Sequence, residues 1–370
     1  MACLRRPKTR RALWHTDFVS RLTEGSRVDR SERTALAKSL AIGVVGGLVF
    51  QLIGMPLAWM LGPLTANLVV SARGVDVRIP EPLREVFLGV LGLVLGSQVT
   101  PQLAERVLDW PLSAALLLLG VAASTAAAAA WYRRCGFDSV SAWFASAPGA
   151  MTAMILMGET CGGDPRRIAI AQSLRVVLVV LILPPLFWFY EGASGAEVAA
   201  AVDGELTSSW MLLALPLLFP VGRWLRLPTP TLLTPLLFAG VLSGLDIASL
   251  SLPDVGMNLM LWVLGCAIGS RFRGLSSARL GRYLFEAFVA TLVALAVLAG
   301  FAELIHRWVD VPRDVALLAL APGGIGEMAI LAVALDLDPV FVAFHHLLRM
   351  VALMLFAPFW ARWLSSRLDQ

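Results

Sequence analysis

Charged side chains are scarce in this sequence. They make up 15% of the 370 residues, whereas 58% of the residues are hydrophobic. Soluble domains carry roughly 25% charged residues, so the composition excludes a water-soluble globular protein. Apolar runs recur from residue 38 to residue 364, and many approach the roughly 20 residues that a helix needs to cross a bilayer. The pattern predicts an all-α polytopic membrane protein in contact with the lipid bilayer.

Signatures of metal and nucleotide binding are also lacking. The four cysteines have no paired spacing, and only four histidines are present, so neither a disulfide framework nor a copper-binding imidazole cluster is indicated. The sequence contains no phosphate-binding loop, dinucleotide fingerprint or nucleophile elbow. We therefore expect no enzyme activity, no cofactor and no bound metal, and an oxygenase is disfavoured.

Composition divides the chain into five parts. Residues 1–37 are basic and contain no apolar run; a secretory signal would place its apolar core nearer the start, so this segment is interpreted as a cytoplasmic arm. Its charges are dispersed, and no nucleic-acid partner is expected. The predicted parts that follow are a membrane repeat (38–190), an acidic external linker (191–208), a second membrane repeat (209–364) and a tail (365–370).

Apolar blocks between turn signals predict about ten transmembrane helices. The predicted spans are 38–54, 56–72, 83–100, 112–131, 168–190, 209–222, 230–243, 255–270, 284–305 and 340–361. Two further blocks, 143–160 and 315–334, are interrupted by Pro148-Gly149 and Pro322-Gly323-Gly324, which disfavour an unbroken helix. If both blocks are re-entrant, most loop arginines lie on one face, which places both termini in the cytoplasm.

An internal repeat is the strongest signal in the sequence. The segment "APGAMTAMILMGETCGGDPRRIAIAQSLRVVLVVLILP" from Ala147 aligns without a gap with "APGGIGEMAILAVALDLDPVFVAFHHLLRMVALMLFAP" from Ala321. The identities fall on Pro, Gly, Asp and Arg, so shared apolar composition does not explain them. An odd number of crossings in each half predicts two inverted repeats, with a binding site near the midplane where the broken segments meet.

Two arginines interrupt the apolar helices that follow the breaks. Arg175 and Arg349 each lie ten residues after a proline, about 15 Å into a core of about 30 Å. A charge at that depth is costly and marks a functional candidate. We interpret both as substrate-binding residues for an anion such as a carboxylate, with Gln172 and His346 one turn earlier on the same face. The alternatives are a structural ion pair or snorkelling to the headgroups.

The breaks supply further candidates for substrate binding. Helix halves that start there point N–H groups and positive dipole ends toward the midplane. Gly149, Gly323 and Gly324 allow close approach of the backbone to a ligand, and Thr152 lies just inside the first helix start.

Candidates for a coupling carboxylate lie close to the breaks. Glu327 and Glu159 are assigned this role, although an acid near a helix start also serves as a cap. His345 and His346 are adjacent, so they point about 100° apart on a helix and do not readily chelate one ion.

The two "APG" blocks, each followed by an acid-Pro turn and a helix with Leu-Arg, resemble the membrane AbrB family over residues 38–364. This resemblance implies a multi-pass protein of the bacterial inner membrane. Members are labelled ammonia monooxygenases or regulators of aidB expression, so the resemblance also implies an association with gene regulation.

These observations predict a secondary transporter of a small, anionic solute that works by alternating access. A membrane-embedded sensor or regulator of gene expression is the alternative, and a channel and a monooxygenase rank behind both. Substrate, direction, coupling ion and homo-oligomer formation stay open.

Overall fold

The described residues form helices joined by turns and short irregular segments. A computed structural model describes residues 30–99, 110–149, 151–191, 208–225, 227, 229–272 and 277–368. The first half contains α1 (Arg30–Leu52), α2 (Ala58–Ala72), α3 (Glu81–Gly96), α4 (Pro111–Arg134), α5 (Ser139–Ser146), α6 (Met151–Thr160) and α7 (Pro165–Glu191). The second half contains a 3₁₀ helix (Ser209–Ala214), α8 (Leu215–Trp224), α9 (Pro230–Gly244), α10 (Asp254–Gly269), a 3₁₀ turn (Ser270–Phe272), α11 (Ser277–Val309), α12 (Arg313–Leu320), α13 (Ile325–Ala334) and α14 (Pro339–Leu368). The predicted all-α class is confirmed for these residues.

Within the described residues, five helices are long and apolar enough to cross a membrane. They are Glu32–Leu52, Pro111–Arg134, Pro165–Phe187, Gly281–Val309 and Pro339–Phe356. The apolar helices α2, α9, α10 and α13 are shorter, at 10 to 17 residues. Every predicted span overlaps a helical segment, but length and composition identify five crossings, so the count of about ten stays a prediction.

Both predicted interruptions divide helices at the expected positions. The chain leaves α5 at Ser146 and enters α6 at Met151, and it leaves α12 at Leu320 and enters α13 at Ile325. Proline lacks an N–H and clashes with the preceding turn, which accounts for both breaks. Whether the broken segments are re-entrant stays a prediction.

Asp164 and Asp338 start the helices that follow the broken segments. The Asp164 carboxylate accepts from the Arg166 N–H at 2.9 Å, and the Asp338 carboxylate accepts from the Val340 N–H at 3.1 Å. Each therefore caps its helix by satisfying a donor that has no partner within the helix.

Two helix crossings that join the halves have the same construction. Helix α3 crosses α9, and α10 crosses α2. At each crossing two glycines face backbone carbonyls of the other helix: Gly92 faces Leu232, Gly96 faces Leu236, Gly265 faces Met60 and Gly269 faces Leu64. A methyl group at any of these positions would collide with a carbonyl oxygen, so only glycine permits this approach.

Left-handed backbone conformations recur at matching places in the two halves. Four pairs of residues with positive φ are 172 or 174 positions apart: Leu57 and Thr229, Gly74 and Asp246, Gly136 and Asp310, and Gly162 and Asp336. The first pair starts α2 and α9, and the others follow helix ends. Turn geometry thus repeats at nearly the spacing at which the sequence repeats.

The predicted arm and linker lie almost entirely outside the described residues. Helix α1 already begins at Arg30, before the predicted membrane boundary at residue 38. Of the linker, only residues 191 and 208 are described. The division into five parts therefore stays a prediction.

Candidate functional site: a cationic cavity between the halves

A cavity of about 490 Å³ lies where the two broken helix pairs meet. Its walls come from α3, α6 and α7 of the first half and from α9, α13 and α14 of the second. The volume lies within the roughly 300–1,000 Å³ typical of small-molecule sites. A ligand in this cavity would contact both halves at once.

Most of the site residues predicted from sequence line this cavity. The eight that do are Gly149, Gln172, Arg175, Gly323, Gly324, Glu327, His346 and Arg349. Glu159 is exposed near the end of α6 and is not among the lining residues. The side chain of Thr152 lies outside the described part of the structure. The cavity thus gathers the predicted substrate-binding groups, and their binding role stays a prediction.

Arg175 reaches from α7 to both breaks. Its Nε donates to the Pro322 carbonyl at 2.8 Å, and Nη1 donates to the carbonyls of Ser146 and Ala147, both at 3.3 Å. Nη2 donates to Oε1 of Gln172 at 2.8 Å. The bond to Pro322 ties the first half to the break of the second. Because α5 ends at Ser146, the guanidinium also lies at the negative end of a helix dipole.

Arg349 makes fewer contacts from the matching place on α14. Its Nη1 and Nη2 donate to the carbonyls of Ala321 and Gly323, both at 2.6 Å. Its Nε is buried and has no hydrogen-bond partner among the described atoms. A guanidinium has five N–H donors, so part of its hydrogen-bonding capacity remains free.

Gln172 and His346, one turn before the two arginines, also differ in how many of their polar atoms are hydrogen-bonded. The amide nitrogen of Gln172 donates to the carbonyls of Phe144 at 2.7 Å and Ala147 at 2.8 Å, and its oxygen accepts from Arg175. His346 is 1% exposed, and neither of its ring nitrogens has a partner in the described structure. The side-chain polar atoms of Arg175 and Gln172 are thus all hydrogen-bonded within the described structure, whereas Nε of Arg349 and both ring nitrogens of His346 are not.

His345 points away from the cavity. Its Nδ1 lies 2.8 Å from the Phe341 carbonyl and its Nε2 lies 2.9 Å from the Ser113 hydroxyl. A carbonyl only accepts, so Nδ1 of the neutral ring carries the proton, while the Ser113 hydroxyl that faces Nε2 also lies 2.9 Å from the Trp110 carbonyl. The two adjacent histidines therefore have separate roles, one in packing and one at the cavity. In the part of the chain that the structure describes, no group of three or more His, Cys, Asp or Glu side chains could hold a metal ion.

Glu327 is the one carboxylate among the described residues that line the cavity. It forms an ion pair with Arg271 at 3.1 Å, with side chains 13% and 24% exposed. Arg84 also lines the cavity and is paired with Glu81 at 2.6 Å. Both of these arginines thus have a carboxylate partner.

The sequence reasoning missed Arg84 and Arg271 as cavity residues. Both were counted as loop charges that report on topology. The available signal was the segment "GCAIGSR" from Gly265, because its glycines bring α10 against α2 and so bring the 3₁₀ turn with Arg271 toward the cavity.

The cavity carries an excess of positive charge. Among the residues that the structure describes, neither Arg175 nor Arg349 forms an ion pair with a carboxylate. They are 6% and 3% exposed, and their like charges repel each other. Helix α13 also begins here, with Gly324 at its N-cap and no side-chain cap, and helix N-termini attract anions. The arrangement therefore suits a negatively charged ligand.

These features define an all-helical protein with membrane-length apolar helices and a cationic internal cavity. The chain belongs to the AbrB family: the family model described as "Transition state regulatory protein AbrB" matches residues 59–365. It is similar to "Putative regulator AbrB" of Escherichia coli (strain K12), at 26% identity over 322 residues that cover 86% of this chain and 92% of that protein. It is also similar to "Uncharacterized protein YhjN" of Bacillus subtilis (strain 168), at 24% identity over 347 residues that cover 86% and 90% of the two chains. The resemblance to the AbrB family drawn from the repeated blocks is confirmed.

Proposed function

We propose that this protein is a secondary transporter of a small, anionic solute in the bacterial inner membrane. The observation that carries the proposal is the pair of buried arginines, Arg175 and Arg349, which line one cavity between the halves and have no carboxylate partner among the described residues. The proposal assigns the protein no enzymatic reaction.

The physical basis is the cost of burying charge. An ion removed from water loses several kcal/mol unless other groups compensate it. The carbonyls at the ends of α5 and α12 compensate part of the charge of the two guanidinium groups. An anion in the cavity would supply the rest, because it attracts both cations and screens their mutual repulsion.

Several features support an origin of the two halves by inverted duplication. The α3–α9 and α10–α2 crossings use glycines at matching positions, and the left-handed turns recur at the same spacing. Both breaks lie beside the cavity. Inverted repeats with broken helices at a shared site are the architecture of many alternating-access transporters.

In the proposed topology both termini lie in the cytoplasm. Arg84 and Arg271 then lie at the cytoplasmic ends of their helices, so the part of the cavity that they line faces the cytoplasm. The ion pair between Arg271 and Glu327 would act there, and Glu327 is the proposed coupling carboxylate.

Cysteine labelling tests the inverted arrangement. Val75 and Ile247 follow matching left-handed turns and are 39% and 64% exposed. In a cysteine-free background, Val75→Cys is expected to react with an impermeant maleimide from the cytoplasmic side and Ile247→Cys from the external side. Labelling of both from the same side would exclude inverted repeats.

Flux measurements test the function itself. Proteoliposomes are assayed for uptake of radiolabelled acetate, benzoate, phosphate and sulfate. Arg349→Ala is expected to reduce uptake of the transported anion by roughly tenfold or more, because a buried charge contact is worth a few kcal/mol. Arg133→Ala, which removes an exposed arginine outside the cavity, serves as the matched control and is expected to leave uptake unchanged. Equal flux in Arg349→Ala, Arg175→Ala and the unaltered protein would reject this site.

A regulatory role is the second candidate, favoured by the name of the Escherichia coli relative. A sensor that acts through the basic arm would lose its output when residues 1–29 are deleted, whereas a transporter would retain flux. Flux that survives this deletion, together with unchanged transcription, would favour transport.

A further inference from the structure

The free hydrogen-bonding groups of the cavity are concentrated on one turn of α14. Nε of Arg349 and both ring nitrogens of His346 are buried without a partner among the described atoms. The two side chains are 3% and 1% exposed and both line the cavity. Buried polar groups in proteins are seldom left unsatisfied, so these atoms mark the place where a ligand's polar group would bind.

The matching turn of α7 offers no such place. All three nitrogens of Arg175 already donate to oxygens of the protein, and the amide of Gln172 is bound through both its nitrogen and its oxygen. The two arginines are therefore not equivalent. Arg175 donates hydrogen bonds to carbonyls at both breaks, whereas Nε of Arg349 has no acceptor among the described atoms.

The other charged groups of the cavity are already paired. Arg271 is bound to Glu327 and Arg84 to Glu81. Much of the remaining wall is apolar and includes Leu88, Val176, Leu232, Ile325 and Met350. A ligand that fills the cavity must therefore place apolar surface against these side chains.

We propose that the cavity binds an organic carboxylate with an apolar body. The carboxylate oxygens accept hydrogen bonds from Arg349 Nε and from His346, whose neutral ring has one N–H to donate. The apolar body lies against Leu232, Ile325 and Met350. This assignment rests on the proposed function and names its substrate class. Phosphate and sulfate lack an apolar surface and would leave this wall without a partner.

Binding measurements on the purified full-length chain in nanodiscs test the assignment. The probes are acetate, butanoate, hexanoate and benzoate, with hexanamide, benzamide, phosphate and sulfate for comparison. We expect affinity to rise by about fourfold for each methylene group that is buried. Each neutral amide is expected to bind at least tenfold more weakly than its acid, because it lacks the charge. Tighter binding of phosphate or sulfate than of hexanoate and benzoate, or affinity independent of chain length, would overturn the proposal.

The most direct test of the ligand position is a variant that gives α14 the residue found at the matching place on α7. His346→Gln installs the residue found at the matching place on α7, where an amide bonds to the carbonyls at the end of the preceding broken helix. We expect it to fold and to lose benzoate affinity by tenfold or more, because its amide would occupy the free donors of Arg349. Arg349→Lys, which keeps the charge and lacks Nε, is expected to weaken benzoate binding similarly. Unchanged benzoate affinity in both variants would contradict the assigned position.

The proposed ligand class and the proposed transport function can be rejected independently of each other. Benzoate binding without benzoate flux in proteoliposomes would reject transport and support the ligand assignment. Phosphate flux without carboxylate binding would reject the ligand assignment and support transport.

Discussion

Gln172 and His346 lie three residues before Arg175 and Arg349 on corresponding helices, and only Gln172 has its polar atoms bound within the described structure. The two matching turns thus use their polar groups differently. On α7 the side-chain polar atoms of Gln172 and Arg175 are all hydrogen-bonded, whereas on α14 Nε of Arg349 and both ring nitrogens of His346 have no partner among the described atoms.

The reverse exchange, Gln172→His, should therefore destabilise the protein. An imidazole offers one donor and one acceptor, so it cannot replace an amide that donates to Phe144 and Ala147 and accepts from Arg175. We expect a loss of roughly 1–3 kcal/mol, the cost of a buried polar group left unsatisfied. Thermal unfolding in detergent should show a lower Tm for Gln172→His than for His346→Gln. The opposite order would contradict the asymmetry.

Arg175 and Arg349 should also differ in how much each contributes to the stability of the fold. Arg175→Ala removes hydrogen bonds to four acceptor oxygens, including that of Pro322 across the junction of the halves, and the Ala147 oxygen among them keeps other donors. Arg349→Ala removes hydrogen bonds to two, and the Ala321 oxygen keeps the Gly323 N–H. Each unmet buried acceptor costs roughly 1–3 kcal/mol, so we expect the larger fall in Tm for Arg175→Ala. Equal melting temperatures would show that the additional bonds contribute no stability.

The ion pair between Arg271 and Glu327 can be measured with a double-mutant cycle. Arg271→Gln and Glu327→Gln are made singly and together, and the free energy of unfolding is compared. Because both side chains are largely buried, we expect a coupling of roughly 1–3 kcal/mol, above that of an exposed pair. Arg84→Gln with Glu81→Gln is the comparison, since the Glu81 side chain is 64% exposed. A coupling no larger than in that pair would show that burial does not strengthen the contact.

Glycine-to-alanine substitutions test the close crossings. Gly96→Ala and Gly269→Ala would each bring a methyl group against a backbone carbonyl of the crossing helix, so we expect both to lower Tm markedly. Gly300→Ala is the matched control, because an added Cβ meets nothing within 4 Å there. It should stabilise α11 by roughly 0.5–1 kcal/mol, the difference in helix propensity. Similar effects at Gly96 and Gly300 would refute the tight crossing.

The breaks and the buried arginines could be predicted because their signals are local. A Pro-Gly pair strongly disfavours a continuous helix, and an arginine in an apolar run is conspicuous in the sequence alone. The capped starts of α7 and α14 follow from Asp-Pro in the same way. Sequence repetition then indicated that these elements belong to two related halves.

The remaining features depend on how helices pack. Arg84 and Arg271 resemble ordinary loop charges until the crossings of α3 and α10 bring them to one cavity. Glu159 and Glu327 both follow a break, but Glu159 lies near the far end of α6, whereas Glu327 lies in the first turn of α13. The different bonding of Gln172 and His346 is not visible without coordinates, because it depends on which carbonyls each side chain reaches.

The glycine crossings bear on how the molecule can move. Where backbone meets backbone, no side chains remain that could rearrange to let one helix slide over another, so α2, α3, α9 and α10 form a stiff frame. The broken helices, α7 and α14 contact one another through side chains of the hydrophobic core and through hydrogen bonds from arginines to carbonyls. Such contacts rearrange more readily than backbone packed against backbone. The cavity lies on the boundary between these two groups of helices, so a rocking motion of one group against the other would change its shape.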